Sequence, residues 1–154
     1  MQETITPKEY LRRTSGRRKR NKYNAKKTPY KGVLYDSKLE AQFADYLEKH
    51  LKAGLITKVE RQPHYVVLDA GVTDNGTKYS KVIYTPDFLV TYPNGAQEAI
   101  EIKGKETKDF LIRKKFFYFS YPWLPLKILT YTKRTGWIEL DKLKKIRAER
   151  RKLT

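Results

Sequence analysis

The sequence predicts a mixed α/β (α+β) domain, a central mixed sheet flanked by helices, with its elements in the order αβββαβ. Three observations lead there. Apolar residues recur at helical spacing between Leu39 and Leu51. Two apolar, β-branched runs, Tyr84 to Val90 and Ala99 to Lys103, flank the turn signal Pro93-Asn94-Gly95 and read as an antiparallel pair. A second helical stretch after Lys103 leads through Pro122 and Pro125 to a further strand, Leu126 to Tyr131.

Residues 1–31 read as a basic arm. Arg12-Arg13 and Arg17-Arg18-Lys19-Arg20 fall within a run, Lys8 to Lys31, that has little apolar periodicity, although Tyr10 and Leu11 can begin a short helix. Such a run is either a solubilising tail or an arm that lies along phosphates and orders on binding. The core is expected over residues 32–135. Its first helix opens after Ser37 and runs to about Ala53, with Gly54 as the stop. Leu39, Phe43, Tyr46, Leu47, His50 and Leu51 mark its buried face, which makes His50 a partly buried core histidine. Lys58 to Leu68 reads as one strand, and His64, after Pro63, as a neutral strand-edge histidine. Asp69 to Lys78, with Gly71, Asp74 and Asn75-Gly76, is a loop or hairpin tip in which the aspartates form turns. Thr107 can cap a helix from about Lys108 to Phe119. Phe110, Leu111, Phe117 and Tyr118 lie on its apolar side, and Arg113, Lys114 and Lys115 face elsewhere. Residues 136–154 are expected to hold a basic helix, from about Leu140 to Leu153, packed on or extending the core.

The chemistry concentrates in the antiparallel pair. Side chains alternate along a strand, so Ile100 and Ile102 share one face and Ala99, Glu101 and Lys103 the other. Asp87 comes from the neighbouring strand, just after a proline that interrupts regular pairing. An Asp, a Glu and a Lys then converge on one patch, and two close carboxylates repel unless a cation sits between them. Hard oxygen ligands suit Mg²⁺ or Mn²⁺. The plainer alternative is an exposed strand face with an ordinary Glu–Lys pair. Glu40 is equally two-sided, because Ser37 and Glu40 satisfy the Ser-x-x-Glu capping box.

Charge sets the class of partner. The chain has 34 Lys and Arg against 17 Asp and Glu, a net +17, and a field of that sign draws polyanions, nucleic acid above all. The absence of cysteine excludes disulfides, thiolate zinc sites and a cysteine nucleophile, and two histidines exclude a histidine-rich metal site. No stretch approaches the roughly 20 apolar residues of a membrane span. With no apolar signal core after Met1, an intracellular setting is expected, without membrane or small-molecule cofactor.

Pro86-Asp87 and Glu101-Ile102-Lys103 resemble the signature of the PD-(D/E)XK nuclease superfamily. The longer run Tyr84-Thr85-Pro86-Asp87-Phe88-Leu89, with Pro93-Asn94-Gly95 after it, is similar to the phage endonuclease I family of four-way-junction (Holliday junction) resolvases. The similarity covers roughly Tyr35 to Lys105, and the αβββαβ order is the superfamily's restriction-endonuclease-like core. It implies a Mg²⁺-dependent endodeoxyribonuclease acting on branched DNA, in which Mn²⁺ substitutes. Asp87, Glu101 and the Ile102 backbone carbonyl would hold one or two metal ions, and Lys103 would orient water or neutralise the phosphate. A closely similar Ser-x-Leu-Glu in the endonuclease I family contributes its Glu to the metal cluster, which makes Glu40 a further candidate. Basic side chains on the helix after the catalytic strand point to Lys114 or Lys115. Nucleic acid is then assigned Arg12, Arg13, Arg17, Arg18, Lys19, Arg20, Lys105, Lys114 and Lys115.

The resemblance also implies a homodimer and, for a phage-encoded protein, the cytoplasm of a bacterial host. This chain departs from the family in a longer Arg61–Ser80 segment and a longer, more basic N-terminal arm. Two other functions fit the same residues. One is a sequence-specific or transposase-end nuclease of the same fold; the other is a basic nucleic-acid-binding protein without catalysis.

Overall fold

A computed structural model describes residues 26–153. The chain divides into two compact units, one up to Lys38 and one from Leu39 onward. In the first unit, β1 (Thr28–Tyr30) pairs antiparallel with β2 (Val33–Tyr35). Their loop is Lys31-Gly32, and both residues take positive φ, 46° and 78°. That is the type I′ geometry that matches strand twist in a two-residue hairpin. The arm boundary expected after residue 31 falls inside this turn.

The second unit holds the predicted α+β architecture. Helix α1 (Lys38–Lys52) leads to β3 (Lys58–Arg61), and an excursion then returns the chain to β8 (Phe88–Thr91) and β9 (Gln97–Ile102). Helix α2 (Lys108–Ser120) crosses to β10 (Leu126–Thr132), which turns into β11 (Gly136–Glu139) and then α3 (Leu140–Lys152). The five strands lie in the order β11-β10-β9-β8-β3. Only β9 and β10 run parallel, as the intervening crossover helix requires. The excursion is a ribbon in two parts, β4 (Tyr65–Leu68) with β7 (Val82–Tyr84) and β5 (Gly71–Val72) with β6 (Lys78–Tyr79).

Alternation along the strands builds two cores, one on each face. Phe88, Val90 and Ile100 face α1, where Phe43 packs at 5.6 Å from Phe88 and 4.7 Å from Trp137. Leu89 and Ala99 face α2 and cluster with Phe110, Phe117, Val67, Tyr84 and Leu124. The Ala99–Glu101 face is therefore interior, which removes the exposed-strand alternative.

Local chemistry accounts for the element ends. Gly54 at φ 71° ends α1, with the Leu55 N–H donating to the His50 carbonyl and the Gly54 N–H to that of Leu51. In the last turn His50 donates from Nδ1 to the Tyr46 carbonyl at 2.8 Å, as a half-buried histidine. Thr107 caps α2, its hydroxyl accepting from the Phe110 N–H at 3.2 Å.

Several expectations need correction, beginning with the first helix, where Tyr46 and Leu51 of the expected buried face are exposed. Lys58–Leu68 is two strands, because Gln62 adopts φ 49° and Pro63 carries no N–H for a ladder. The core-facing stripe of α2 is Phe110 and Phe117 with half-buried Lys114 between them, while Leu111 and Tyr118 are exposed. Residues 136–139 form an edge strand on β10 where only a helix was expected nearby. Among the described residues no helix is long and apolar enough to cross a membrane.

Candidate active site

Strands β8 and β9 fix the two central carboxylates by register. Phe88 pairs with Ile100, so one residue further on Asp87 comes opposite Glu101, on the face that α2 covers. Pro86, fully buried and without an N–H, interrupts the ladder there. The Ile102 N–H, aimed at the edge β8 has vacated, donates instead to Asp87 Oδ2 at 2.7 Å. In a strand a residue's N–H and C=O point to the same edge, so the Ile102 carbonyl lies on the Asp87 side as well.

Glu101 is only 5% exposed, and both of its oxygens are engaged. Oε1 pairs with Lys103 Nζ at 2.8 Å, and Oε2 accepts from the Tyr84 hydroxyl at 3.1 Å. The Lys103 ammonium also sits 4.9 Å from the centre of the Phe110 ring, a cation–π contact that helps fix it. Glu40 is buried in the first turn of α1, at the third helical position. It is near enough for its charge to act on both Asp87 and Lys103.

The electrostatics show a cluster short of positive charge. Burial pushes the Asp87 carboxyl up to about 8, and Glu101 and then Glu40 push the same way; the Ile102 N–H and Lys103 only partly offset them. For Lys103, burial pulls downward, but Glu101, Asp87 and Glu40 outweigh it and the ammonium is held above its usual range. Tyr84 is raised by burial and by Glu101, so it stays a protonated donor to that carboxylate. Among the described residues no three His, Asp or Glu side chains form a ready-made metal-binding group. Burial and the neighbouring carboxylates thus favour the protonated form of Asp87, while Glu101 is paired with Lys103.

A cleft of about 230 Å³ opens on Glu101 and Lys103, lined also by Tyr84, Thr85, Thr107 and Arg113 among others. Arg113 reaches it from α2 while its Nε holds Asp109 at 3.1 Å, an exposed pair that a phosphate can compete for. His64 lies beside the cleft, exposed, with Nδ1 2.9 Å from the Thr85 hydroxyl. A larger cavity of about 470 Å³ lies on the other face, against Phe43 and Trp137. Its charged groups are already matched, Lys127 to Glu98 at 3.0 Å and Lys142 to Glu139 at 3.1 Å, so the chemistry stays with the smaller cleft.

Of the expected residues, Asp87, Glu101, Ile102 and Lys103 lie together, and Glu40 is buried near enough for its charge to act on two of them. The site's surroundings hold residues the pattern did not single out, Tyr84, Arg113 and Glu106. Tyr84 carries no alternation signal relative to Glu101, because Thr85-Pro86 breaks the strand between β7 and β8. Glu106 is half-buried, with its side chain largely covered where it takes Lys114 at 2.7 Å, and it also pairs with Lys144 of α3. Burial opposes its ionisation, but the two lysines win and hold its carboxyl below the usual range. Lys114, 14% exposed, is therefore a structural cation, a correction to its expected outward face. Lys105 and Lys115 are exposed as a nucleic-acid role requires. Arg12, Arg13, Arg17, Arg18, Lys19 and Arg20 lie outside the described residues.

A protein family described as of unknown function, DUF1064, matches residues 20–136 of the chain. The chain belongs to this family. The matched span contains Glu40, Asp87, Glu101 and Lys103 and ends at the first residue of β11, so the DUF1064 region carries the whole carboxylate cluster while α3 falls beyond it. Curated proteins give no match to the chain.

Proposed function

We propose that this protein is a metal-dependent nuclease of the PD-(D/E)XK type that hydrolyses phosphodiester bonds in DNA. One observation carries the reading: Asp87 faces Glu101 and Lys103 at the broken end of a strand pair, with the Asp87 carboxyl held up to about 8. Buried carboxylates that cannot readily ionise together form a site whose charge a cation would balance.

The donor set fits a hard divalent cation: carboxylate oxygens of Asp87, Glu101 and Glu40, with the Ile102 carbonyl on the same edge. Mg²⁺ or Mn²⁺ held there would supply Lewis acidity and a more acidic bound water. Asp87 must lose its proton to become a ligand, and the Ile102 N–H, donating to Oδ2 at 2.7 Å, fixes its carboxyl group. The Tyr84 hydroxyl orients Glu101 from behind. Lys103, fixed between Glu101 and the Phe110 ring, is a pre-placed positive charge for the phosphate or a holder of the attacking water. Arg113, on the cleft wall, is placed to take a neighbouring phosphate. The net +17 supports a polyanionic substrate, while DNA and the preference for a branched form rest on the likeness to the endonuclease I family.

The test is cleavage of labelled duplex, flap, Y-shaped and four-way DNA with Mg²⁺, Mn²⁺ or EDTA. Divalent-dependent cleavage, fastest on the branched substrates, is expected. Tight binding with no cleavage in any metal would leave a basic nucleic-acid-binding protein and end the enzymatic reading.

A further inference from the structure

Helix α3 begins in the core and ends outside it. Leu140 and Leu143 are buried, and from Arg147 to Lys152 every residue is exposed. Seven residues fall within about 20° of two full helical turns. Arg147 and Arg150 therefore continue the face that carries Leu140 and Leu143, and one stripe changes from leucine to arginine where the core stops. A second basic pair stands close by. Lys133 and Arg134, both exposed, form the tip between β10 and β11.

Both groups lie at the catalytic end of the sheet. Leu129 pairs with Ile102 on one side and with Glu139 on the other, so α3 starts level with the carboxylate cluster. The β10–β11 pair continues three residues further, to Thr132 and Gly136, which carries its tip roughly 10 Å past that level. Helix α3 packs back along the same two strands. The charge of Asp141 reaches Tyr118 in the last turn of α2, and one turn on Lys144 pairs with Glu106, ahead of the first turn of α2. The helix thus rises past α2 towards the end from which β9 delivers Lys103. Arg147 and Arg150 lie roughly 5 and 9 Å beyond Lys144 along its axis.

We propose that Arg147 and Arg150, with Lys133 and Arg134, form a shelf that grips the phosphate backbone of DNA beside the bond being cut. The proposal rests on the nuclease reading for the identity of its partner. A guanidinium fork matches phosphate oxygens two at a time. Phosphates recur about every 3.4 Å of axis along one strand, so a shelf roughly 10 Å from the cluster meets the backbone about three nucleotides from the scissile bond. An anionic membrane suits the helix poorly, because its exposed positions hold no apolar residue larger than Ala148, and an interfacial helix needs a broad apolar face. Offsetting the helix dipole is the plainer role for Arg150, Arg151 and Lys152 in the last turn. It accounts for neither Arg147, a turn earlier, nor the β10–β11 tip.

The test is DNA binding by the full chain in EDTA, read by fluorescence anisotropy on labelled duplex and four-way DNA over a range of salt. Each lost phosphate contact flattens the slope of log K against log salt by about 0.9, an affinity loss of about eightfold at 0.1 M salt that fades as salt rises. Arg147→Gln, Arg150→Gln and Arg134→Gln should each show that loss, and Arg147→Gln combined with Arg134→Gln the product of the two. Lys145→Gln removes the same charge from the opposite side of α3 and should bind as the wild type does. Melting temperatures of Arg147→Gln, Arg134→Gln and Lys145→Gln should hold, since these side chains are exposed.

Wild-type affinity and salt slope in either Arg147→Gln or Arg134→Gln overturn the shelf. So does an equal loss in Lys145→Gln, which would mean unselective charge, or a loss that salt does not diminish. Binding to anionic phospholipid vesicles that Arg147→Gln abolishes, with DNA binding unaltered, overturns it too. The two readings fail separately. Mg²⁺-dependent cleavage with unaltered binding by the arginine variants removes the shelf and keeps the nuclease. The expected binding losses without cleavage in any metal keep the shelf and end the enzyme.

Discussion

The Ile102 backbone N–H and Asp87 Oδ2 are joined at 2.7 Å where β8 has stopped pairing with β9. One hydrogen bond thus satisfies a strand edge and aims a catalytic candidate. The bond separates two substitutions that activity alone does not. Asp87→Asn keeps an acceptor for the Ile102 N–H, whereas Asp87→Ala leaves that group orphaned, at a cost of about 1–3 kcal/mol. Both should abolish cleavage by orders of magnitude while DNA binding persists. Urea unfolding near pH 5 should show only the Ala variant destabilised. Wild-type cleavage by Asp87→Asn would refute the site.

The raised Asp87 carboxyl sets the sign of a pH dependence. Unfolded, it titrates near 4; folded, near 8. Between those values the folded state binds more protons, so stability falls as pH rises through that window. Glu106 acts with the opposite sign, but only below about pH 4, because its folded value is depressed. In EDTA, melting temperature should drop by roughly 5 °C or more from pH 5 to pH 8. Asp87→Asn should flatten the slope, and Mg²⁺ should restore stability at pH 8 by displacing the proton. A flat wild-type profile in EDTA contradicts the charge-starved cluster.

Tyr84→Phe removes the 3.1 Å bond to Glu101 and keeps the ring packed against Phe117, 5.1 Å between centroids. A ligand carboxylate that loses its orienting donor binds metal about 10–100-fold more weakly. The Mg²⁺ concentration for half-maximal cleavage should rise by that factor, with most of the rate recovered at saturation. An unshifted Mg²⁺ curve would mean the hydroxyl serves packing alone.

Lys114 and Lys105 are both basic residues near the cleft, and they should separate cleanly. Lys114→Met strands the covered Glu106 side chain with one lysine, and removing a partner from a buried pair costs on the order of 1–3 kcal/mol here, since Lys144 remains. Its salt dependence of DNA binding should match the wild type. Lys105→Ala should leave melting unchanged and flatten the slope of log K against log salt by up to about 0.9. A reversal of the two phenotypes would put Lys114 on the substrate.

The opposition of Asp87 and Glu101 was legible because strand alternation and a Pro-Asn-Gly turn fix both face and register. What covers a face is set by segments far away in sequence. Hence alternation left open whether Glu101 is solvated, and Phe110 and Phe117 of α2 decide it by packing on Ala99. Helical spacing does put Lys114 between Phe110 and Phe117, yet its charge argued for solvent until Glu106 supplied a buried partner. The break at Gln62 rests on a left-handed backbone that only the following proline hinted at. Strand β11 is four residues long, too short for a period to show, and its place comes from pairing with β10.

Glu40 is where capping and catalysis meet. Its position, third in α1 after Ser37, is the one a capping box requires, and its buried charge acts on Asp87 and Lys103. Glu40→Gln is nearly isosteric and keeps an acceptor for a cap bond, so the helix should lose well under the roughly 1 kcal/mol of a missing cap. Removing the charge should do three further things if Glu40 belongs to the cluster. It should lower the Asp87 carboxyl toward its usual range and make the EDTA stability profile shallower between pH 5 and 8. It should weaken Mg²⁺ binding, read by calorimetry on the DNA-free protein. It should cut cleavage by orders of magnitude at limiting Mg²⁺. Ser37→Ala should do the reverse, lowering melting temperature with Mg²⁺ affinity intact. An unchanged pH profile and Mg²⁺ affinity in Glu40→Gln would reduce Glu40 to a helix cap and leave Asp87, Glu101 and the Ile102 carbonyl as the whole donor set.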